Sequence, residues 1–545
     1  MDRRGLGQWF TAAPVAQLAL AAVGPIDPRW RAIDPTCGDG AFLAAARTAG
    51  LRDLTGVEID RALAARARQT GAAIVDGDLL APGLVERLGT FDLVIGNPPW
   101  VRAGRVDPAV KRARAALLAA DWPDLDRALI DGVARHADVA ATCLLRALRL
   151  VAPGGRLVLV VSTALLDADG AAPLWHAVQA VASVRALIVA PTERWFADAA
   201  VNAMVLVAER VPGPSAPRLV RLRLPTALAA TAVGLEAIAA AADQRSIDPH
   251  AHPGVLRASL AKRASADWGV ALRAPAAWFA WREHARDLLV PLGELAELRR
   301  GLTTGANAVF YLARAEATRL RLEPRYLADV VRSPFNGAPA PIAIAPGESP
   351  IVALALPREA RLVEVPRIAA WLRKAQVAGT SVTRRDPWWS LPHHPARLFL
   401  AKAYGPRFVQ RLADVPMLAD QRVYALTARP GVDLHALAAV LNALPTALAL
   451  ESLGRASMGY GAIEWTAKDA LALPVLDVRR LDPAPLAAAL VAFGRRAIDH
   501  VRLERDRPDR AALDRLVVPE PLRLAMWDAL LASVALRDRY LLPVV

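Results

Sequence analysis

Four consecutive residues, Asn97, Pro98, Pro99 and Trp100, follow the apolar run Asp92-Leu93-Val94-Ile95-Gly96. Their types suit one piece of chemistry. An exocyclic amine on an aromatic ring is a poor nucleophile because its lone pair is delocalised. The side-chain oxygen of Asn97 can accept one N–H and the carbonyl of Pro98 the other. Drawing both hydrogens aside biases the nitrogen toward sp³ and frees its lone pair for in-line attack, with no general base needed beforehand. Two prolines stiffen such a loop and preorganise its acceptors. Trp100 offers a face on which a base can stack. Taken alone, a Pro-Pro turn after a strand is also ordinary structure, so the neighbours decide.

The first neighbour is Ala32-Ile33-Asp34-Pro35-Thr36-Cys37-Gly38-Asp39-Gly40-Ala41-Phe42-Leu43, read as strand, tight glycine loop and helix. Glycine lets backbone approach a ligand where a Cβ would collide. Some twenty residues on comes Gly56-Val57-Glu58-Ile59-Asp60, where an acid can accept from ribose hydroxyls. Asp76-Gly77-Asp78-Leu79-Leu80 follows, and Asp78 can accept from the exocyclic amine of adenine. Loop, acid and acid at successive strand ends describe an adenosine-type pocket. The loop is neither GxxxxGK[ST] nor GxGxxG, which argues against phosphate cradling and against a dinucleotide. S-adenosylmethionine is the expected ligand. Cys37, inside the loop, is expected to line the pocket rather than serve redox or metal chemistry.

These residues need a sheet to present them. From residue 14 to about 210, alanine-rich helical stretches separate short strands, predicted at Arg31–Asp34, Leu54–Ile59, Ala73–Val75, Leu93–Ile95, Leu157–Val161, Ala186–Ala190 and Ala203–Ala208. That alternation predicts a doubly wound, Rossmann-like α/β sheet. Val211–Pro217 is a breaker cluster. The expected organisation is a catalytic domain over 1–215, a connector over 216–285 containing one helix at Ala227–Asp243, and a mixed α+β domain over 286–545 ending in a charged helical tail at Pro483–Asp506.

The 545-residue chain is 54% hydrophobic and 22% charged, which excludes disorder as its main state. Two cysteines, Cys37 and Cys143, exclude a disulfide framework or a four-cysteine zinc site. The nine histidines lack ligand spacing, and no metal is expected. Net charge is +14, with 67 Lys+Arg against 53 Asp+Glu. Residues 1–215 carry 23 and 22 of these and the remainder 44 and 31, so the excess divides as +1 and +13. Part of the arginine reads as a high-GC genomic accent, but the segregation favours a C-terminal surface facing phosphates. The most apolar stretch, Ala436–Leu450, is interrupted by Asn442 and Pro445, so a soluble, cytoplasmic protein without membrane association is expected.

The chain resembles the γ-class N6-adenine DNA methyltransferases, TaqI-like and Eco57I-like. Gly7-Gln8-Trp9-Phe10-Thr11, DPTCGDGAFL, GVEID, DGDLL, GNPPW, the Pro153-Gly154-Gly155 hairpin and Arg194-Trp195-Phe196 through Asn202 occur in that family's order over about residues 5–210. The resemblance implies that Thr11, Asp34, Gly38 and Gly40 line the methionine part of the cofactor, together with Cys37. Glu58 would hold ribose, and Asp78, followed by Leu79, adenine. Asn97 and Pro98 would bind the target N6, with Trp100 and Phe196 stacking on a flipped adenine; Trp195 competes for the second place. Ala12 stands where the family often has proline, and Trp100 where it more often has tyrosine. Further on, Gly301-Leu302-Thr303-Thr304-Gly305-Ala306-Asn307, Arg384-Arg385-Asp386-Pro387-Trp388-Trp389, Met458–Gly461 and Leu471–Val475 resemble the family's target-recognition region. Arg384, Arg385 and Asn307 are its expected DNA contacts.

The expected function is thus site-specific transfer of methyl from S-adenosylmethionine to N6 of a flipped adenine in duplex DNA, within restriction–modification or phage defence. Two alternatives remain: methylation of an RNA base or a protein glutamine amide, and a non-catalytic DNA-binding module. None of the five lysines has Asp or Glu two residues before it, so no D/E-x-K nuclease triad is present, and the motifs begin near residue 5. Any cleavage is expected from a separate partner.

Overall fold

The computed structural model describes residues 10–100, 107–136, 138–167, 171–190, 195–196, 202–213, 217–222, 255–259, 268–332, 339–375, 382, 385–391, 393–454 and 462–538. The chain forms two compact units, Met1–Leu272 and Arg273–Val545.

In the first unit strands and helices alternate: α1 (Ala13–Ala21), β1 (Arg31–Asp34), α2 (Ala41–Thr48), β2 (Asp53–Glu58), α3 (Arg61–Ala67), β3 (Ala73–Asp76), α4 (Leu84–Leu88) and β4 (Phe91–Gly96). Then come α5 (Pro108–Asp121), α6 (Arg127–Ala134), α7 (Ala140–Leu150), β5 (Val151–Ser162), α8 (Ala164–Asp167), α9 (Ala171–Val181), β6 (Ser183–Val189), β7 (Ala203–Glu209), β8 (Arg218–Leu222) and β9 (Val255–Ser259). The nine strands make one sheet in the order β3-β2-β1-β4-β5-β7-β6-β8-β9. β3 through β5 are parallel, and β7 runs antiparallel between β5 and β6. The inner strands are apolar on both faces because helices cover both. The chain leaves β1 toward β2 and β3, then crosses to β4 on the other side. That reversal opens a crevice at the carboxyl ends of β1 and β4.

Every predicted strand lies within or beside an observed one. β5 is longer than predicted because the Pro153-Gly154-Gly155 segment joins it: Gly154 N donates to Arg210 O at 3.0 Å and Arg210 N to Gly155 O at 2.9 Å. The expected boundary at 215 is corrected. β8 pairs with β6 and β9 with β8, so two pieces of the expected connector complete the first sheet. After this cluster Arg218–Leu222 pairs with the edge strand β6, so the domain does not end there. Counted at the observed boundary, residues 1–272 hold 30 Lys+Arg and 26 Asp+Glu, and residues 273–545 hold 37 and 27. The excess becomes +4 and +10, still concentrated in the second unit. The helix expected at Ala227–Asp243 lies outside the described residues.

The second unit contains an eight-stranded, mostly antiparallel sheet formed by strands between Ala296 and Ala428, followed by helices. Leu434–Asn442 and Leu444–Leu453 meet at a 60° bend. Most of their residues are buried, which explains why the sequence is apolar all round there. Among the described residues no single helix is long and apolar enough to cross a membrane; this bent pair passes by combined length and composition only. Asp514 ties three elements: it accepts from Leu444 N at 2.8 Å and Trp527 Nε1 at 3.1 Å, and pairs with Arg510 at 3.1 Å. The expected tail at Pro483–Asp506 is also corrected. Its helix ends at Gly494, Ala497–Ile498 pairs with Ala340–Pro341, and helices Pro508–Arg515 and Glu520–Asp538 follow. Arg496, within that stretch, is paired with Glu504 and Asp509, each at 2.6 Å.

Candidate active site

The crevice is built from the loop after β1. Gly40 N donates to Cys37 O at 2.8 Å, closing a turn, and Cys37 N donates to Val57 O at 2.9 Å, anchoring it on β2. Gly38 and Gly40 have φ of +55° and +94°. A Cβ on Gly40 would stand 2.9 Å from Thr70 Cγ2 and 3.0 Å from Ala67 Cα, so α2 can start here only from a glycine. A Cβ on Gly38 would meet nothing within 4 Å. The first glycine thus faces open space and the second seats the helix.

Glu58, at the end of β2, is 7% exposed. Its Oε2 accepts from Gly38 N and its Oε1 from Asp60 N, both at 2.8 Å. A carboxylate has about four lone-pair positions, so two remain for hydroxyls. Asp60 then caps α3 by accepting from Ala62 N and Leu63 N. Asp78 lies exposed after β3, its Oδ1 accepting from Leu80 N at 2.8 Å, with Leu79 buried beside it.

Asp34 is 1% exposed, and its Oδ1 accepts from Thr36 N at 3.1 Å. Burial pushes its carboxyl up to about 8, with the negative charges of Glu58 and Asp39 adding to the rise and the Thr36 amide opposing it. Gly96 lies directly over this carboxyl: a Cβ there would be 2.4 Å from Asp34 Oδ1. Sequence reasoning passed over Gly96. Its signal was the glycine closing an otherwise apolar strand just before Asn97. Cys37 departs from expectation: its Sγ packs back toward Gly56, where a Cβ would lie 2.8 Å away, and the residue is 5% exposed. It supports the loop from beneath, and burial raises its thiol's pKa further from a reactive thiolate.

Asn97 Nδ2 donates to Thr11 Oγ1 at 3.2 Å. Thr11, expected at the cofactor, therefore also orients the Asn97 amide, turning its oxygen to the opposite side. Pro98 is buried and Pro99 half-buried. Trp100 and Phe196 are 7% and 5% exposed and meet edge to face, with ring centroids 4.8 Å apart and planes at 78°. Phe196, rather than Trp195, is the ring against Trp100. A base between two rings needs a gap of roughly 7 Å, twice a van der Waals contact, so these rings stand closed on one another.

In the second unit, Asn307 and Arg385 both bond Thr304. Arg385 Nη2 donates to Thr304 O at 2.6 Å, and its guanidinium lies 5.1 Å from the centre of the Phe310 ring. Thr304 Oγ1 bonds Asn307 Oδ1 and accepts from Ala306 N. Trp388 meets Phe310 edge to face at 6.2 Å, and Trp389 packs on the same core. Gly301 admits no side chain, since a Cβ would be 2.0 Å from Asp420 O. Two of the recognition-like motifs, residues 301–307 and 385–389, thus pack together. Arg384 and Met458–Gly461 lie outside the described residues, as do Gly7–Trp9.

The fold is a doubly wound, Rossmann-like α/β domain followed by a mixed α+β domain. No family model matches the chain. It is similar to the type IIL restriction–modification enzyme MmeI, solved in complex with DNA, at 14% identity and a TM-score of 0.51, covering 98% of this chain and 73% of that one. The type IIG restriction endonuclease BpuSI is also similar: 14% identity, TM-score 0.49, 99% of this chain and 67% of that one. A type I methyltransferase subunit from Streptococcus thermophilus matches 45% of this chain and 55% of its own, at 16% identity and a TM-score of 0.35.

Proposed function

We propose that this chain is a γ-class, TaqI-like DNA methyltransferase that moves the methyl of S-adenosylmethionine to N6 of an adenine flipped out of duplex DNA. The observation that carries the reading is the switch-point crevice. Asn97-Pro98 at the end of β4 stands beside the glycine loop at the end of β1, with Gly96 riding on the Asp34 carboxyl. The open front of Gly38 and the spare lone pairs of Glu58 fit a nucleoside without phosphates. Glu58 would hold the ribose, Asp78 and Leu79 the adenine, and Thr11, Asp34, Gly38 and Gly40 the methionine end, with Cys37 beneath. Bound S-adenosylmethionine supplies a methyl group on an electrophilic sulfonium.

The chain's own residues prepare the acceptor. Asn97 Oδ1 and Pro98 O accept the two amine hydrogens, and the prolines keep them in place. Trp100 and Phe196 part to receive the base and stack on its faces. The proton lost from nitrogen leaves along these same acceptors toward water. The basic second unit, +10 by sequence, supports a duplex DNA partner, with Arg384, Arg385 and Asn307 among the contacts. A restriction–modification or phage-defence setting, with a separate nuclease partner in the cytoplasm, goes with this reading.

Methylation-aware sequencing of DNA from cells expressing the protein tests it. The expected result is N6-methyladenine at one recurrent motif, absent from cells expressing Asn97→Ala although that variant still binds S-adenosylmethionine. Unmodified adenine with the wild-type chain, or equal modification with Asn97→Ala, refutes the reading.

A further inference from the structure

Arg146, on α7, has a side chain that is 0% exposed, and its partner Asp121, the last residue of α5, is 1% exposed. Nε donates to Asp121 Oδ2 at 2.8 Å and Nη2 to Oδ1 at 3.3 Å. Nη1 reaches the other way and donates to two backbone carbonyls, those of Leu79 and Ala81, the second at 2.9 Å. Arg149 Nε adds a bond to Asp121 O at 3.1 Å. An ion pair this deep is a poor way to gain stability, since apolar residues of like volume often do as well. What a guanidinium adds is a rigid planar fork that fixes whatever it bonds.

Here the fork fixes the loop between β3 and α4. Within that loop Leu80 N donates to Asp78 Oδ1 and Ala81 N to Asp78 O, both at 2.8 Å. The direction of the Asp78 carboxylate therefore follows from where the peptide planes of 79–81 stand, and Arg146 holds two of their carbonyls. Cys143 lies three residues earlier on the same face of α7. Burial pushes its thiol up to about 12, with the negative charge of Asp78 adding to the rise.

The geometry points to Arg146, braced by Asp121, as a positioning residue that aims Asp78 and so sets the preference for adenine over a 6-oxo purine at the cofactor's base. The inference rests on the cofactor reading above. Adenine presents N–H donors to a carboxylate, whereas hypoxanthine presents a carbonyl oxygen that the carboxylate repels. A mis-aimed Asp78 loses that distinction while Glu58 and the glycine loop still hold ribose and homocysteine.

The test is calorimetric binding of S-adenosylhomocysteine and S-inosylhomocysteine to the full chain. Two variants complement each other. Arg146→Lys keeps the charge opposite Asp121 but lacks the fork. Arg146→Met with Asp121→Leu replaces the pair by apolar volume, so no charge is left buried alone. Melting curves identify which variants are folded. Wild type is expected to prefer the adenosyl compound, and the preference to fall by about tenfold or more in a folded variant. Affinity for the inosyl compound is expected to stay within about threefold. An unchanged preference, or a parallel loss for both compounds, overturns the positioning role. Failure of the wild-type chain to bind or distinguish the two compounds instead removes the cofactor reading itself.

Discussion

Replacing Asp34 with asparagine separates what this carboxyl costs the fold from what it gives the site. The side chain is fully enclosed, and the Thr36 N–H that it accepts can be accepted equally by an asparagine oxygen. Burial first, then Glu58 and Asp39, push its carboxyl up to about 8. In an unfolded chain the same group titrates near about 3.9. The folded chain therefore holds this proton more tightly than the unfolded chain. Below about pH 4 Asp34 is neutral in both states and costs nothing. As pH rises toward about 8, ionisation favours the unfolded state, and above that the penalty is constant. About four units at roughly 1.4 kcal/mol each set an upper bound near 6 kcal/mol. Relaxation and water entry reduce this to about 2–4 kcal/mol. Urea unfolding of both proteins between pH 5 and pH 9, followed by tryptophan emission, measures the difference. Asp34→Asn is expected to gain on wild type as pH rises, by about 2–4 kcal/mol at pH 9, while losing affinity for S-adenosylmethionine, whose positive charges the carboxylate offsets. Binding to wild type is expected to strengthen with pH up to about 8 and to release protons. A stability difference that stays constant from pH 5 to pH 9 refutes the buried-carboxyl argument.

Two further outcomes follow from the geometry. Trp100→Ala is expected to raise KM for DNA about ten- to a hundredfold, as loss of one stacking face implies, with Trp100→Tyr close to wild type; an unaltered KM for Trp100→Ala in steady-state methyl transfer removes the stacking role. Gly301→Ala places a methyl 2.0 Å from Asp420 O, which is expected to destabilise the second unit by about 3 kcal/mol or more; DNA binding should fall while S-adenosylmethionine binding persists, and an unshifted melt contradicts the close approach.

The strands, and the strand ends and loops on which the candidate residues stand, were legible in the sequence, because each rests on local rules. A buried parallel strand is an apolar run, a glycine loop must follow it, and an acid ends the next strand. Asp34, Gly38, Glu58, Asp78 and Asn97 all fall on the strand ends and loops those rules name. The domain boundary was not legible. Val211–Pro217 has the composition of a linker, and only the open edge of β6, a long-range partner, makes Arg218–Leu222 a strand of the first sheet. The charged tail misled for the same reason, since Glu504 and Asp509 reach Arg496 only through folding.

The sequence by itself determined the residue types and their order along the chain: a donor-acceptor tetrapeptide, a loop of two glycines, two acids and a basic second half. The tertiary structure alone decided what each side chain faces. It turned Cys37 under the loop, joined Thr11 to Asn97, closed Trp100 on Phe196, and buried Arg146 against Asp121 behind Asp78. The physical reason is range. Strands, turns and caps are settled by neighbours a few residues away. Burial, carboxyl ionisation and the aim of a fixed side chain depend on residues that only the folded chain brings together.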